Sequence, residues 1–374
     1  MKKIILAIFL IALTLFCATK AHELENTLLR KKIGQMLIIG FDGTKLTPDN
    51  PIVKDIEQER ISGVILFSKN ANKTKNIEGG ADIKNIQSKR QLKELVSDLQ
   101  RISPNKLFVA IDEEGGKISR LSDPSFKLKT LSHKELGDKN DTMTTYLEAK
   151  KIAQTLKELG INLNFAPCVD LGINPNSKII YQKNRAFSAQ SDIVVNHANS
   201  YILAHQQFGI ETALKHFPGH GSTSDDTHKN LADSTKNWTR EELAPYQALI
   251  NNGSAQNIMI SHVFNKNLDD TFPASMSYKT VTELLRKKMG FDGLIITDDM
   301  QMKAITDNWG FDEAIINSIN AGCDIIILGN NLEYDKDIAQ KFNDIVFNAV
   351  QEGKITQKRI DDSYYRIIAK KAQL

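Results

Sequence analysis

The residues best suited to chemistry gather between Lys215 and His228. Three histidines (His216, His220 and His228), Lys215, Asp225 and Asp226 fall within fourteen positions, interleaved with Pro218, Gly219 and Gly221. Asp226 and His228 stand two apart, so on an irregular loop the carboxylate can reach a ring nitrogen. Such a contact orients an imidazole and raises its basicity, as proton transfer near neutrality requires. The same residue types also fit two other readings: a metal site built from His216, His220, His228 and an Asp, or a solvated polar loop.

Three further places concentrate reactive side chains: Asp112-Glu113-Glu114-Gly115-Gly116, Ser261-His262 and Thr297-Asp298-Asp299. Each has a plain structural reading. Asp298-Asp299 or Asp112 could cap a turn or helix, because Asp satisfies orphan N–H groups well. Glu113 and Glu114 could be solvated, and His262 could be a satisfied structural histidine. His133, His197 and His205 carry no expected chemistry. Trp238 and Trp309 could line a sugar site, but ordinary packing explains both.

The elements around these residues give them a common address. Eight short apolar runs recur: Met36–Gly40, Gly63–Phe67, Leu107–Asp112, Asn162–Pro167, Thr212–Phe217, Asn257–His262, Gly293–Asp298 and Cys323–Gly329. They lack clean alternation, as expected of parallel strands covered on both faces. Helical periods lie between them at Tyr146–Leu159, Ser191–Phe208, Glu241–Asn252, Val281–Met289 and Asp312–Asn320, with glycines near their ends. Eight strand–helix alternations predict a single (β/α)₈ TIM-type barrel. Glu23–Gln35 reads as an extra N-terminal helix, and Lys341–Val350 and Arg359–Ala369 as C-terminal closing helices. The polar stretch 73–89, with Gly79-Gly80, reads as a surface insertion. In such a barrel the reactive residues above sit at the carboxyl ends of the strands, on one rim.

The chain has 374 residues, 41% hydrophobic and 25% charged, ordinary for a globular protein. Its start is not ordinary. Lys2 and Lys3 precede an uncharged apolar run from Ile4 to Cys17, and Ala18-Thr19-Lys20-Ala21 ends in small residues. This is the layout of a signal peptide over residues 1–21, followed by one domain over 22–374. The apolar run is short for a membrane span, and Phe16 argues against a lipid anchor on Cys17. Cleavage removes three lysines and no acid, leaving 45 basic and 45 acidic residues. A neutral chain has no general attraction for nucleic acid. The expected location is therefore secreted or periplasmic, without stable membrane insertion after cleavage. Cys168 and Cys323 lie in apolar segments and read as small buried residues rather than a disulfide.

The motifs in order carry a family resemblance. Lys-His-Phe-Pro-Gly-His-Gly at 215–221 with Asp226-Thr227-His228 resembles the signature loop of glycoside hydrolase family 3 β-N-acetylhexosaminidases, the type that acts on peptidoglycan fragments. Gly63–Asn70, Asp112–Leu121, Asn164-Phe165-Ala166-Pro167, Asn184-Arg185-Ala186-Phe187, Pro273–Ser277 and Gly293–Met302 resemble its other motifs. The resemblance covers about residues 30 to 330. Lys117 departs from the usual Arg, Glu113 from the common Gln, and Ser222 from a frequent Asp.

The resemblance implies that Asp298 is the nucleophile and that His228, held by Asp226, is the acid/base. It implies that Asp112, Arg120, Arg185, Lys215 and His216 hold the sugar's hydroxyls and acetamido group. No metal and no cofactor are implied. The expected substrate is a glycan or muropeptide bearing N-acetylglucosamine, and the expected state is a monomer. Retaining hydrolysis needs a carboxylate on one sugar face and a proton donor on the other, which these residues supply. Rival readings are a β-glucosidase or glycoside phosphorylase of the same family, a metallohydrolase, and a non-catalytic sugar-binding protein.

Overall fold

Runs of Ile, Val, Leu and Phe bury both faces of eight parallel strands: β1 (Leu37–Ile39), β2 (Gly63–Ile65), β3 (Phe108–Ile111), β4 (Leu163–Asn164), β5 (Glu211–Phe217), β6 (Asn257–Ile260), β7 (Leu294–Asp299) and β8 (Ile325–Leu328). The computed structural model describes residues 19–71, 83–224 and 231–374. The strands follow one another around a closed barrel in sequence order. Closure is made by β1 on β8, with Leu37, Ile38 and Ile39 opposite Ile326, Ile327 and Leu328. The (β/α)₈ barrel expected from the sequence is thus the observed fold. Six of its strands are shorter than the apolar runs that announce them; β5 and β7 are not. In β4 the ladder stops at Asn164, and the N–H of Ala166 turns back onto the Asn164 carbonyl. Pro167 has no N–H to extend it.

Helices cover the barrel where apolar residues recur on one stripe. Helix Thr142–Leu159 buries Ala149, Ile152, Ala153, Leu156 and Leu159, is capped by Asp141, and ends at Gly160 with φ +78°. The helix Lys89–Ile102 is not among the expected ones. It buries Leu92, Leu95, Val96 and Leu99 and starts with a capping box of Ser88 and Gln91. Residues 19–34 form the leading helix, and Ile338–Gln351 and Gln357–Lys371 close the chain. The last helix is pinned under the barrel by the buried Asp324, which accepts from Arg359 at 3.0 Å, Arg366 at 3.2 Å and Arg286 at 2.6 Å.

The stretch 73–89 is described from residue 83, and that part is not a surface insertion. Lys84, Asn85 and Ile86 are buried. The Lys84 ammonium donates to Asp42 at 2.8 Å, while Asn85 accepts from the Phe67 N–H and donates to the Phe41 carbonyl. These polar side chains brace the loops after β1 and β2. Burial is tolerated because each finds partners.

Candidate active site

Two strands lose their regular register at the carboxyl end of the barrel. The β5–β6 ladder shifts between Leu214 and Phe217, and the β7–β8 ladder between Ile296 and Asp299. Such irregularities re-aim side chains at strand ends, and here they fall on Lys215-His216 and on Asp298-Asp299. A third device follows β3, where Gly115 and Gly116 adopt φ +97° and +55°. That left-handed turn favours glycine. It folds residues 117–121 back so that Arg120 meets Asp112, Nη2 to Oδ2 at 3.4 Å.

One buried polar chain links five of the expected substrate-holding residues. Lys215, 2% exposed, sets its ammonium between Asp112 at 2.8 Å and Glu114 at 2.7 Å. Glu114 also takes Arg185 bidentately, Nε at 3.0 Å and Nη2 at 2.7 Å. Arg185 then donates to His216 Nε2 at 3.1 Å, and His216 Nδ1 faces Asp170 at 2.7 Å. A guanidinium can only donate, so His216 Nε2 accepts and its proton sits on Nδ1. Burial works against every charge here, but the partners outweigh it. Asp112 is held below its usual value by Lys215 and Arg120, and Glu114 well below by Arg185 and Lys215. Asp170 is lowered to about 2, His216 being its main partner. Lys215 is raised by Asp112 and Glu114. Asp112, Glu114, Asp170 and Lys215 are therefore charged at neutral pH.

A cavity of about 300 Å³ opens beside this chain. Asp112, Arg120 and Asp298 line it with the apolar side chains of Phe165, Met259 and Met302. Its size lies at the lower end of small-ligand sites, roughly 300–1,000 Å³, and a wall part polar and part apolar suits a sugar ring. Lys215, Arg185 and His216 are set back from the lining and joined to it through Asp112. Asp298 Oδ1 accepts from the Asp299 N–H at 2.8 Å. Asp299 borders the cavity too, and one of its oxygens is tied down twice: Oδ1 accepts from Gln301 N at 3.0 Å and Gly329 N at 2.9 Å. Its carbonyl accepts from His262 Nε2 at 2.9 Å, leaving Nδ1 of that ring to accept from Ser275 at 2.8 Å. The turn-forming reading of the acidic pair thus belongs to Asp299, and His262 buttresses it.

Asp226 and His228 lie outside the described residues. The base of their loop is described to Ser224. The His220 N–H donates to Asp170 at 2.8 Å, and Trp238 Nε1 donates to the Pro218 carbonyl at 3.0 Å. Trp238 therefore packs under the loop, away from the cavity lining. Trp309 packs on the core as well.

Several participants escape a reading by sequence. Glu113 and Glu114 are 0% and 2% exposed, so neither is solvated. Glu113 Oε2 accepts from the N–H groups of Arg120 and Leu121 at 2.8 and 3.1 Å. Burial pushes it up to about 7. Asp170 was signalled only by an acid closely following the apolar run into Pro167. His133 donates from Nδ1 to the Arg185 carbonyl at 2.9 Å and stacks on Phe187, so a histidine with no expected chemistry supports a site arginine. Burial lowers it to about 4.

Cys168, Asp170 and His216 converge closely enough to raise the metal reading again. They are held together by hydrogen bonds: the thiol donates to Asp170 at 3.2 Å, and His216 Nδ1 donates to the same oxygen. Burial and the charge of Asp170 keep the thiol well above its usual value. Metal ligation needs a thiolate and a free ring lone pair, whereas this arrangement uses both protons. Cys168 and Cys323 are buried and free, as expected.

A closed barrel with its charged side chains gathered at the strand carboxyl ends is the layout in which (β/α)₈ barrel enzymes carry their sites. The model of the glycosyl hydrolase family 3 N terminal domain matches residues 28–369, and the chain belongs to that family. Beta-hexosaminidase A of Pseudoalteromonas piscicida is 31% identical over 338 residues, which cover 85% of this chain and 54% of that protein. A family 3 β-N-acetylglucosaminidase structure from Paenibacillus sp. str. FPU-7 has a TM-score of 0.80 at 28% identity, over 92% of this chain and 62% of that one. The β-N-acetylhexosaminidase structure from Beutenbergia cavernae has a TM-score of 0.80 at 25% identity, over 92% of this chain and 98% of that one. The chain thus spans little more than half the length of the first relative.

Proposed function

We propose that this chain is a retaining exo-β-N-acetylglucosaminidase that removes terminal β-linked N-acetylglucosamine, with peptidoglycan fragments as its natural substrates. One observation carries the reading: Asp298 borders a sugar-sized cavity with Asp112 and Arg120, while Oδ1 of its neighbour Asp299 is held by two backbone N–H groups from Gln301 and Gly329. In the first step Asp298 attacks the anomeric carbon and the glycosidic C–O bond breaks. His228, oriented by Asp226, gives its proton to the departing oxygen. In the second step His228 takes a proton from water, which attacks the same carbon and releases Asp298 from the ester. Asp112 and Arg120 hold sugar hydroxyls, with Lys215, Arg185 and His216 fixing Asp112 from behind the cavity wall. No cofactor takes part in this scheme.

We further propose export, with cleavage after Ala21. Thr19, Lys20 and Ala21 are exposed, and the first buried residue of the leading helix is Leu29, so cleavage removes no described core residue. Sequencing of the mature protein should begin near His22, and an intact cytoplasmic chain would contradict export. The activity is tested on aryl β-glycosides in the presence of a chelator. The N-acetylglucosaminide should be cleaved far better than the glucoside, with no need for phosphate. Preference for the glucoside, dependence on phosphate, or loss of activity in chelator would each overturn the assignment.

A further inference from the structure

Glu242 is a buried acid with no role in that scheme. It lies in the single 3₁₀ turn Arg240–Leu243 before the helix Ala244–Asn251, where an acid ordinarily faces water. Here it is 1% exposed. Its Oε2 accepts the Gly221 N–H at 2.8 Å and the Ser222 N–H at 3.3 Å. Its Oε1 is buried with no hydrogen-bond partner among the described residues. Burial, with the nearby charge of Asp170, pushes the carboxyl up to about 7. An apolar residue would start the helix without these costs, so the carboxyl is explained by what it grips.

What it grips is the start of the loop that leaves β5. Two buried carboxylates divide that segment between them. Asp170 takes the N–H groups of His216 and His220, and Glu242 takes those of Gly221 and Ser222. Gly219, at φ +116°, lies against Glu242 so closely that a Cβ there would come within 2.5 Å of the Glu242 Cβ. Beyond Ser222 the described chain is held by Asn174, whose Nδ2 donates to the Ser222 carbonyl at 2.9 Å.

We infer that Glu242 is a positioning residue for proton transfer: by fixing Gly221 and Ser222 it sets where the chain departs toward His228, six residues on. The inference rests on the reading of His228 as acid/base. A displaced donor fails when the leaving group needs its proton, and matters little when the leaving group departs unaided.

The test compares Glu242→Ala, Glu242→Asp and Glu242→Gln with His228→Ala in the full chain. Glycosylation rates are measured on a natural N-acetylglucosaminyl disaccharide and on the dinitrophenyl N-acetylglucosaminide. Glu242→Ala should lose roughly tenfold or more on the disaccharide, a part of the full acid/base effect, and markedly less on the dinitrophenyl glycoside. Glu242→Asp, which keeps the charge but draws it back from the Gly221 N–H, should show the same split even if the alanine variant does not fold. Glu242→Gln, which keeps an acceptor oxygen in reach, should show a smaller one. Equal losses on both substrates in the Glu242 variants, with a clear split in His228→Ala, would overturn the inference alone. No split in His228→Ala would instead overturn the reading on which it rests.

Discussion

Glu114 and Arg185 form a two-pronged ion pair, 2.7 and 3.0 Å, in which the carboxylate is 2% and the guanidinium 11% exposed. The pair connects the loop after β3 to the segment after β4, and through Lys215 it reaches β5. Three strand ends therefore share one charge arrangement, and Asp112 carries it to the cavity.

Breaking that pair should be costly. Glu114→Gln keeps the shape but leaves Arg185 buried without its anion and Lys215 with Asp112 alone. Removing one partner of a buried ion pair typically costs about 3–5 kcal/mol. Denaturant unfolding should show a loss of that order, and kcat/KM should fall in the fraction that stays folded. A loss below about 1 kcal/mol would mean that the pair is not buried as described.

The neighbouring acid makes a prediction about pH. Burial pushes Glu113 from 4.5 up to about 7 in the folded chain, so the folded state holds its proton more tightly than the unfolded state. The stabilisation from that proton is fully present below about pH 4.5 and is lost as pH rises through about 7. The shift corresponds to roughly 3 kcal/mol. Glu113→Gln removes the titration and keeps an acceptor for the Arg120 and Leu121 N–H groups. Relative to the parent, its unfolding free energy should therefore improve between pH 4.5 and 8 by up to that amount. A difference that stays constant with pH would show that Glu113 ionises normally.

For His228 the prediction is a dependence on the leaving group. His228→Ala should be slowed about 10²–10⁴-fold on natural disaccharides, and far less in forming the glycosyl-enzyme from a dinitrophenyl glycoside. It should also lose the limb of the pH–rate profile that the imidazole controls. Asp226→Asn should give a weaker version of the same pattern, since the ring remains. An unchanged pH profile in His228→Ala would assign the proton to another group.

The barrel was legible because buried parallel strands write themselves as continuous apolar runs, and all eight lie where those runs fall. The helix Lys89–Ile102 was hidden by the polar stretch before it, although Ser88 and Gln91 are a readable start signal. The site was legible only in part. Asp112 and Asp298 announce themselves at strand ends, Arg120 stands out only through the family resemblance, and all three line one cavity. Whether Glu113 and Glu114 are buried cannot be read locally, because the partner that makes burial of Glu114 tolerable, Arg185, lies 71 residues away. The same holds for Glu242, whose purpose appears only when Gly221 and Ser222 are seen beside it. His133 and Asp170 act through other site residues, and sequence spacing carries no sign of that.

The central claim is that Asp298, and not its neighbour, forms the bond to the sugar. It is tested most directly by trapping the glycosyl-enzyme with a fluorinated slow N-acetylglucosaminide analogue and mapping the modified peptide by mass spectrometry. The account predicts one sugar per chain on Asp298, and no labelling of a folded Asp298→Ala variant. Labelling of Asp299 or Asp226, or of the Asp298→Ala variant at all, would contradict it.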